Sequence, residues 1–318
     1  MSEPLLSVCL ITYNHAQYIR EAIDSVLMQK VDFTWELIIA DDFSTDGTRE
    51  IVLEYARNYP AFIKLILQER NVGAAKNWMD LMAAPSGKYI AYFEGDDFWI
   101  DPNRLQKQVD YLEDHPECAL CFHDVRYEDS TGDLKGFPTY SSRCELLKEN
   151  TDATFTIRDT LMGGLIPTCS VVLRNEPDIR SLPGFFYQSV TGDWLLWLLA
   201  CKDRTMHYFH QTMAVYRITP GGSSFYIRRN MDALYYNRVQ MLMELDRHWN
   251  FQLHDVLTPA IRRYARLTPL PLWSDPVIGR FARYSPYAYC RIRLKKNILH
   301  PLFSKVNGIL RCCGLYGQ

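Results

Sequence analysis

Long hydrophobic runs are missing from this sequence. Its longest uninterrupted apolar stretch, Trp194 to Cys201, is eight residues, far short of the roughly 20 that a membrane-spanning helix needs. The opening Met1, Ser2, Glu3, Pro4 has neither the basic lead nor the apolar run of a signal peptide, so the cytoplasm is the expected compartment. Cysteines number nine, an odd count with no repeating spacing, which argues against a disulfide scaffold and for reduced thiols. Internal repeats and low-complexity tracts are also absent. A net charge of only −2 gives no footing for a nucleic-acid partner.

What is present is an ordinary globular composition. The 318 residues are 47% hydrophobic and 23% charged, enough for one large domain or two small ones. The small net charge hides a split. Residues 259–318 hold 11 Lys+Arg and one acidic residue, leaving 24 basic against 36 acidic residues in 1–258. Such a tail suits an anionic membrane surface or the acidic body itself.

The first hundred residues alternate apolar runs with helical patterns, the signature of βα units that build a mostly parallel sheet. Strands are expected at Leu5–Ile11, Trp35–Ala40, Ile63–Leu67 and Tyr89–Phe93. Ile19, Ala22, Ile23, Val26 and Leu27 form one helical face. Thr45 or Asp46 can cap a second helix, and Asp101 with Pro102 a fourth. Residues 123–166 carry many turn formers and are read as an irregular excursion. Further strands are expected at Thr168–Leu173, Met206–Phe209 and Met213–Ile218, with helices at Trp194–Lys202 and Tyr226–Trp249.

Ligands of an open parallel sheet bind beyond the carboxyl ends of its strands, and those ends are acidic here. The first strand ends in Thr12, Tyr13, Asn14 and His15, the second in Asp41, Asp42, Phe43, Ser44, Thr45, Asp46 and Gly47, the fourth in Glu94, Gly95, Asp96 and Asp97. Crowded carboxylates repel one another unless a hard cation sits among them, and a few carboxylates without a thiolate or imidazole cage suit Mg²⁺ or Mn²⁺ completed by phosphate oxygens. Asp46 is read as a turn and cap residue.

These segments carry a family resemblance. Ser7-Val-Cys-Leu-Ile-Thr-Tyr-Asn14, Asp41-Asp-Phe-Ser-Thr-Asp-Gly-Thr48 and Glu94-Gly-Asp-Asp-Phe-Trp99, followed by Gly192-Asp193-Trp194 and Ala214-Val-Tyr-Arg217 with Gly221-Gly222, resemble in order and spacing the motifs of inverting family 2 glycosyltransferases of the GT-A fold. The resemblance implies an α/β architecture, a Rossmann-like mostly parallel sheet with flanking helices. It implies a catalytic domain over 1–225, with a nucleotide-sugar half (1–122) and an acceptor half (123–225), followed by a helical, basic extension over 226–318. It further implies a sugar moved from a nucleotide-diphosphate donor, a UDP-sugar first, to a hydroxyl of a glycan or lipid-linked glycan. Thr12, Tyr13, Asn14, Asp42, Arg70, Glu94, Gly95 and Asp96 would bind the donor, Asp96 would hold Mn²⁺ or Mg²⁺, and Asp193 would be the general base. Trp99 and Trp194 are candidate acceptor contacts.

Two departures stand out. Glu94 occupies a place where the family more often has Asp, and Thr219 stands where many relatives have a histidine, with His207, His210 and Arg217 the nearby substitutes. Cys118-Ala-Leu-Cys121 with His123 reads as a buried strand rather than a zinc or redox motif. Leu302, Phe303, Val306, Ile309 and Leu310 share one helical face beside Lys295, Lys296 and Lys305, an arrangement for lying on an anionic membrane, at the inner face of the plasma membrane, or for packing on the body. Two other classes share some features: a nucleotide-sugar-binding module without turnover, and a nucleotidyltransferase, for which a glycine-and-lysine-rich phosphate loop is lacking.

Overall fold

The computed structural model describes residues 3–132, 136–149, 151–163, 166–220, 222–269, 277 and 280–285, and it begins with the predicted βα alternation. Strand β1 (Leu6–Thr12) leads to helix α1 (Ile19–Leu27), β2 (Trp35–Asp41) to α2 (Thr48–Asn58), β3 (Ile63–Leu67) to α3 (Ala74–Met82), and β4 (Tyr89–Glu94) through the short β5 (Phe98–Trp99) to α4 (Arg104–Asp114). Then follow β6 (Cys118–Asp129), β7 (Ala153–Phe155), α5 (Ile157–Thr160), β8 (Val172–Arg174), α6 (Pro177–Arg180), α7 (Gly192–Ala200) and β9 (Thr205–Ile218).

The sheet order is β3-β2-β1-β4-β8-β6-β9-β5, with β7 also on β9. The first four positions are parallel throughout. Beyond them β8 runs antiparallel to both β4 and β6, whereas β6 and β9 are parallel. Val8, Leu10, Leu37, Ile39, Ala91 and Phe93 form one core with Ile19, Ala22, Ile23 and Val26 of α1 and Leu105, Val109 and Leu112 of α4. Residues of the other parity, Cys9, Ile38 and Ala40, are buried as well, and α3 packs against β1 and β2. Burial on both faces explains why these strands read as continuous apolar runs. Each fully buried aliphatic side chain contributes about 1.5–3 kcal/mol.

Several expected elements differ from those observed, each for a local reason. Helix α4 starts at Arg104, since Asp101 turns back to accept the Asn103 N–H (2.8 Å) and to pair with Lys107 (2.7 Å). The strand expected at Thr168–Leu173 begins only at Val172, because the Ser170 N–H and hydroxyl both bond the Pro167 carbonyl and close a tight turn. The two strands expected between Met206 and Ile218 are one, β9, with a bulge where pairing jumps from His123↔Phe209 to Asp124↔Thr212. The excursion expected from residue 123 begins later, because Val125 stays in the core and β6 continues beside β9 to Asp129.

The described chain divides into two compact units, one reaching Phe225 without residues 188–190, the other made of those three residues and the chain from Tyr226 onward. The remaining helices are α8 (Ser223–Arg229), α9 (Met231–His248) and α10 (His254–Leu267). The single helix expected at Tyr226–Trp249 is interrupted at Asn230, whose side chain donates to the Tyr226 carbonyl (2.8 Å) and ends α8. Among the described residues no helix is long and apolar enough to cross a membrane. The amphipathic tail around residues 295–310 lies outside the described residues.

Gly87, just before β4, donates to Ser7 Oγ (3.0 Å), and a Cβ there would meet Ser7 N at 2.7 Å and the Leu6 carbonyl carbon at 2.9 Å. Both are backbone atoms of the central strand and cannot step aside. Gly87→Ala is expected to destabilise the protein by about 1–3 kcal/mol, read as a lower urea midpoint. An unchanged midpoint would contradict this packing.

Candidate active site

Strands β1 and β4 are neighbours, and the chain leaves β1 toward β2 on one side and β4 toward β5 on the other, so these connections part and open a crevice at the carboxyl end of the sheet. A cleft of about 380 Å³ lies there. One wall is built from the loops after β1 and β2, which are stitched together by hydrogen bonds from Asn14 N–H to Ser44 Oγ (2.9 Å), Thr45 N–H to Asn14 Oδ1 (2.9 Å), His15 N–H to Thr48 Oγ1 (2.8 Å) and Ala16 N–H to Asp46 Oδ2 (2.9 Å). Asn14 (φ 55°) and Phe43 (φ 61°) take left-handed backbone conformations to make this joint. That is easy for Asn and strained for Phe. Asp41 is buried and ion-paired with Arg49 (2.6 Å), so it serves the scaffold.

Asp42 lines the cleft and is 2% exposed. Its two carboxylate oxygens accept the N–H groups of Val72 (2.7 Å) and Gly73 (2.9 Å), fixing the loop after β3. Gly73 has φ 86°, a conformation that suits glycine. Asn71, Gly73 and Ala74 thereby join the cleft wall. Arg70, in the same loop, is exposed and does not line the cleft.

The opposite wall is the acidic shelf that ends β4. Gly95 is obligatory: a Cβ would fall 2.7 Å from Thr12 Oγ1 and 3.0 Å from His15 Nδ1. Glu94 Oε2 is shielded from solvent and has no hydrogen-bond partner among the described residues. Burial, then the charges of Asp96 and Asp193, push the Glu94 carboxyl up to about 8. Burial followed by Asp96 and Glu94 raises Asp97 well above the usual carboxylate range, although its Oδ1 accepts the Arg217 N–H (2.8 Å). Asp193 sits in the first turn of α7, where the helix dipole favours a negative charge, and accepts the Thr168 hydroxyl (2.9 Å). The cap position itself belongs to Thr191. The structure therefore brings together Thr12, Tyr13, Asp42, Glu94 and Asp96 around one cleft; Asp193 does not line it, but its charge acts on Glu94.

Several expected residues are elsewhere. Trp99 is 1% exposed, with its Nε1 donating to the Cys169 carbonyl (3.0 Å). Trp194 is 5% exposed and donates to the Thr160 carbonyl (3.0 Å). Both tryptophans are core residues and are withdrawn as acceptor contacts. His210 pairs with Asp152 (2.8 Å), and His207 stacks on Tyr111 (3.8 Å), so neither lines the cleft. Arg217 does, but its guanidinium is engaged by Glu21 (2.5 Å), Glu128 (3.0 Å) and the Asp96 carbonyl (3.0 Å). Asn14 holds the two loops instead of lining the cleft. Cys118 and Cys121 are buried with their thiols pushed up, Cys118 to about 11, as befits a strand.

Sequence reasoning missed His15 and Asp97 as wall residues. His15 lines the cleft with Nδ1 3.2 Å from Thr12 Oγ1. The signal for both was available: each directly follows a strand-end motif.

A crevice at the switch point of a parallel sheet, walled by backbone-rich loops on one side and carboxylates on the other, marks an α/β protein of GT-A architecture that takes its ligand at the carboxyl edge of the sheet. The chain belongs to glycosyl transferase family 2, which matches residues 7–175. An uncharacterized protein of Mycobacterium tuberculosis is 41% identical over 214 residues, covering 67% of this chain and 58% of that protein, so this chain spans less than two thirds of that relative's length. TuaG of Bacillus subtilis, named as a teichuronic acid biosynthesis glycosyltransferase, is 37% identical over 219 residues, covering 68% and 80% of the two chains. Among solved structures, the mannosyltransferase PcManGT of Pyrobaculum calidifontis, in complex with GDP-Man and Mn²⁺, superposes with a TM-score of 0.54 at 18% identity over 94% of this chain and 88% of that one. That likeness is one of fold.

The Glu94 carboxyl yields a pH prediction. Its folded pKa is raised from 4.5 to about 8, so the folded state binds the extra proton and stability falls as pH rises between those values. Asp97 acts in the same direction. In metal-free buffer Glu94→Gln is expected to flatten the decline of melting temperature from pH 5 to pH 8 and to melt higher than the parent at pH 8. An identical slope in both proteins would refute the buried-carboxyl assignment.

Proposed function

We propose that this protein is an inverting glycosyltransferase that moves a sugar from a nucleotide-diphosphate donor, a UDP-sugar in the first instance, to a hydroxyl of a glycan or lipid-linked glycan. The observation that carries the proposal is the acidic shelf: Glu94, Asp96 and Asp97 at the cleft, with the Asp193 charge acting on Glu94. Family membership supports the reaction class, and the biosynthetic name of TuaG supports a surface glycan as product.

The shelf fits a divalent cation. Glu94 Oε2 is without a partner and its charged form is disfavoured by its neighbours, a condition that a hard cation relieves. Asp96, with Glu94 beside it, would hold Mn²⁺ or Mg²⁺. No three side chains among the described residues converge into a ready metal cage, which suits an ion that draws the rest of its shell from donor phosphates and water. When bound, that ion offsets the charge developing on the departing nucleotide diphosphate.

The chain's own residues do the rest. The exposed Tyr13 ring offers a face on which the base can stack, and Thr12 and the Asp42-braced loop flank the nucleotide. Asp193 accepts the proton of the acceptor hydroxyl as that oxygen bonds to the anomeric carbon and the diphosphate oxygen leaves from the other side, which inverts the configuration. The Thr168 hydroxyl holds Asp193 Oδ2 (2.9 Å) and the Trp194 N–H holds Oδ1 (2.7 Å), and a carboxylate oxygen that accepts one hydrogen bond keeps a lone pair for the acceptor hydroxyl. The basic tail beyond residue 286 would place the enzyme on the cytoplasmic face of an anionic membrane, where lipid-linked acceptors reside.

The deciding experiment measures donor binding and nucleotide release across UDP-, GDP- and dTDP-sugars, with and without Mn²⁺. Asp193→Ala is expected to keep donor affinity while lowering turnover about 10²- to 10⁴-fold. Asp96→Ala is expected to lose metal-dependent binding. If no nucleotide sugar binds under any metal, the proposal fails. Donor binding without release by the parent protein would favour the non-catalytic module.

A further inference from the structure

The two halves of the sequence carry opposite charge. Residues 1–225 hold 20 Lys+Arg against 32 acidic residues, and residues 226–318 hold 15 against five. Within the second unit a pocket of about 240 Å³ concentrates this excess: Glu244, Arg247, Phe251, Arg280, Arg283 and Tyr284 line it. One carboxylate there serves two guanidinium groups, Glu244 pairing through Oε2 with Arg247 and through Oε1 with Arg280. Arg283 has no carboxylate partner among the described residues, and its guanidinium lies 4.3 Å from the Phe251 ring centroid. Three cations around one anion leave two positive charges unmet.

The aromatic neighbour is held in place deliberately. Asn250 (φ 51°) and Phe251 (φ 62°) both adopt left-handed backbone conformations in the turn between α9 and α10. For phenylalanine this is strained, yet the ring remains 37% exposed. Strain that sets an aromatic ring at the surface beside unmatched arginines has a use at a membrane, where a ring enters the headgroup level while cations meet phosphates. Stacking on the ring leaves the guanidinium edge of Arg283 free to donate two hydrogen bonds to one phosphate.

We infer that this arginine pocket is a seat for the phosphate of an anionic lipid headgroup, with Phe251 inserted beside it. A membrane lipid suits the pocket better than a soluble phosphate compound. The arginines are spread at the surface, Arg247 with 65% and Arg280 with 41% of the side chain exposed, whereas a site for a small soluble ligand encloses most of its guest. The excess of ten positive charges over residues 226–318 adds the long-range attraction that a lipid surface supplies. The seat is independent of the donor chemistry and uses residues other than those of the amphipathic tail.

The test is co-sedimentation of the full chain with phosphatidylcholine vesicles, with and without phosphatidylglycerol, at low salt. The parent is expected to bind only the anionic vesicles. Arg247→Gln/Arg283→Gln is expected to lower partitioning about 30-fold, while Arg263→Gln/Arg266→Gln, which removes two exposed cations of α10 outside the pocket, lowers it much less. Phe251→Asn keeps every charge and suits the left-handed turn, so it is expected to fold and still to bind anionic vesicles more weakly. Equal losses for the two arginine pairs would overturn the seat, as would full binding by Phe251→Asn. Displacement from vesicles by millimolar inorganic phosphate at constant ionic strength would assign the pocket to a soluble anion. Because the readout is sedimentation, it separates from any failure in sugar transfer.

Discussion

Mutual repulsion among carboxylates at the end of β4 is the constraint around which the carboxyl edge of the sheet is arranged. Glu94, Asp96 and Asp97 follow one another across a single turn, and Asp193 arrives from the start of α7. Water would normally screen such a group, but the shelf lies against a core in which Phe93, Tyr92 and Leu10 are sealed from solvent. Burial and mutual repulsion push the Glu94 and Asp97 carboxyls upward, which favours their protonated forms. Arg217 has its guanidinium held by Glu21, Glu128 and the Asp96 backbone carbonyl, and by none of the shelf carboxylates among the described contacts. Only its backbone N–H reaches Asp97. A scaffold that spends its arginine elsewhere leaves the shelf able to receive another positive charge.

The shelf needs a rigid floor, and a buried polar network supplies it. Arg104 is fully buried, stacked 3.9 Å from the Trp99 ring centroid, with Nε donating to His123 Nε2 (2.7 Å). Burial lowers its pKa to about 9, and His123 is held neutral by burial and by the adjacent guanidinium, so one arginine sits in the core without a carboxylate. Trp99 in turn bonds the Cys169 carbonyl, which ties β5 to the turn preceding β8. The network therefore joins α4, β5, β6 and that turn directly beneath Asp97. Arg104 Nη1 has no hydrogen-bond partner among the described residues, so the network is satisfied only in part, and any further misplaced member would leave the charge more exposed to the core.

Legibility in the sequence followed the physics of each feature. The four parallel strands were readable almost to the residue because burial on both faces imposes unbroken apolar runs, and Ile63–Leu67 coincides with β3. The cleft wall was readable because strand-end polar residues have few reasons to be acidic. What stayed hidden depends on contacts distant in sequence. Nothing in the pattern around Trp99 distinguishes a ring that stacks on a sugar from one that covers Arg104. His123 looked like an appendage of a cysteine pair, whereas its partner lies on α4. The antiparallel placement of β8 between β4 and β6 was equally invisible, for strand direction is set by the connections and not by the strand itself. Asn230 ended a helix that periodicity alone would have continued.

On the proposed function, the shelf also dictates how ligands must cooperate. Carboxyls whose proton affinity is raised bind a cation less tightly by themselves, since the proton competes with the cation for the same oxygens. A nucleotide diphosphate that contributes oxygens to the same cation strengthens the hold without adding to the local burial cost. Linkage makes the effect reciprocal: if the donor raises cation affinity by some factor, the cation raises donor affinity by that same factor. The enzyme would then be loaded by the pair and by neither alone. Asp193 would then meet its acceptor with the charge of the shelf already offset by the cation.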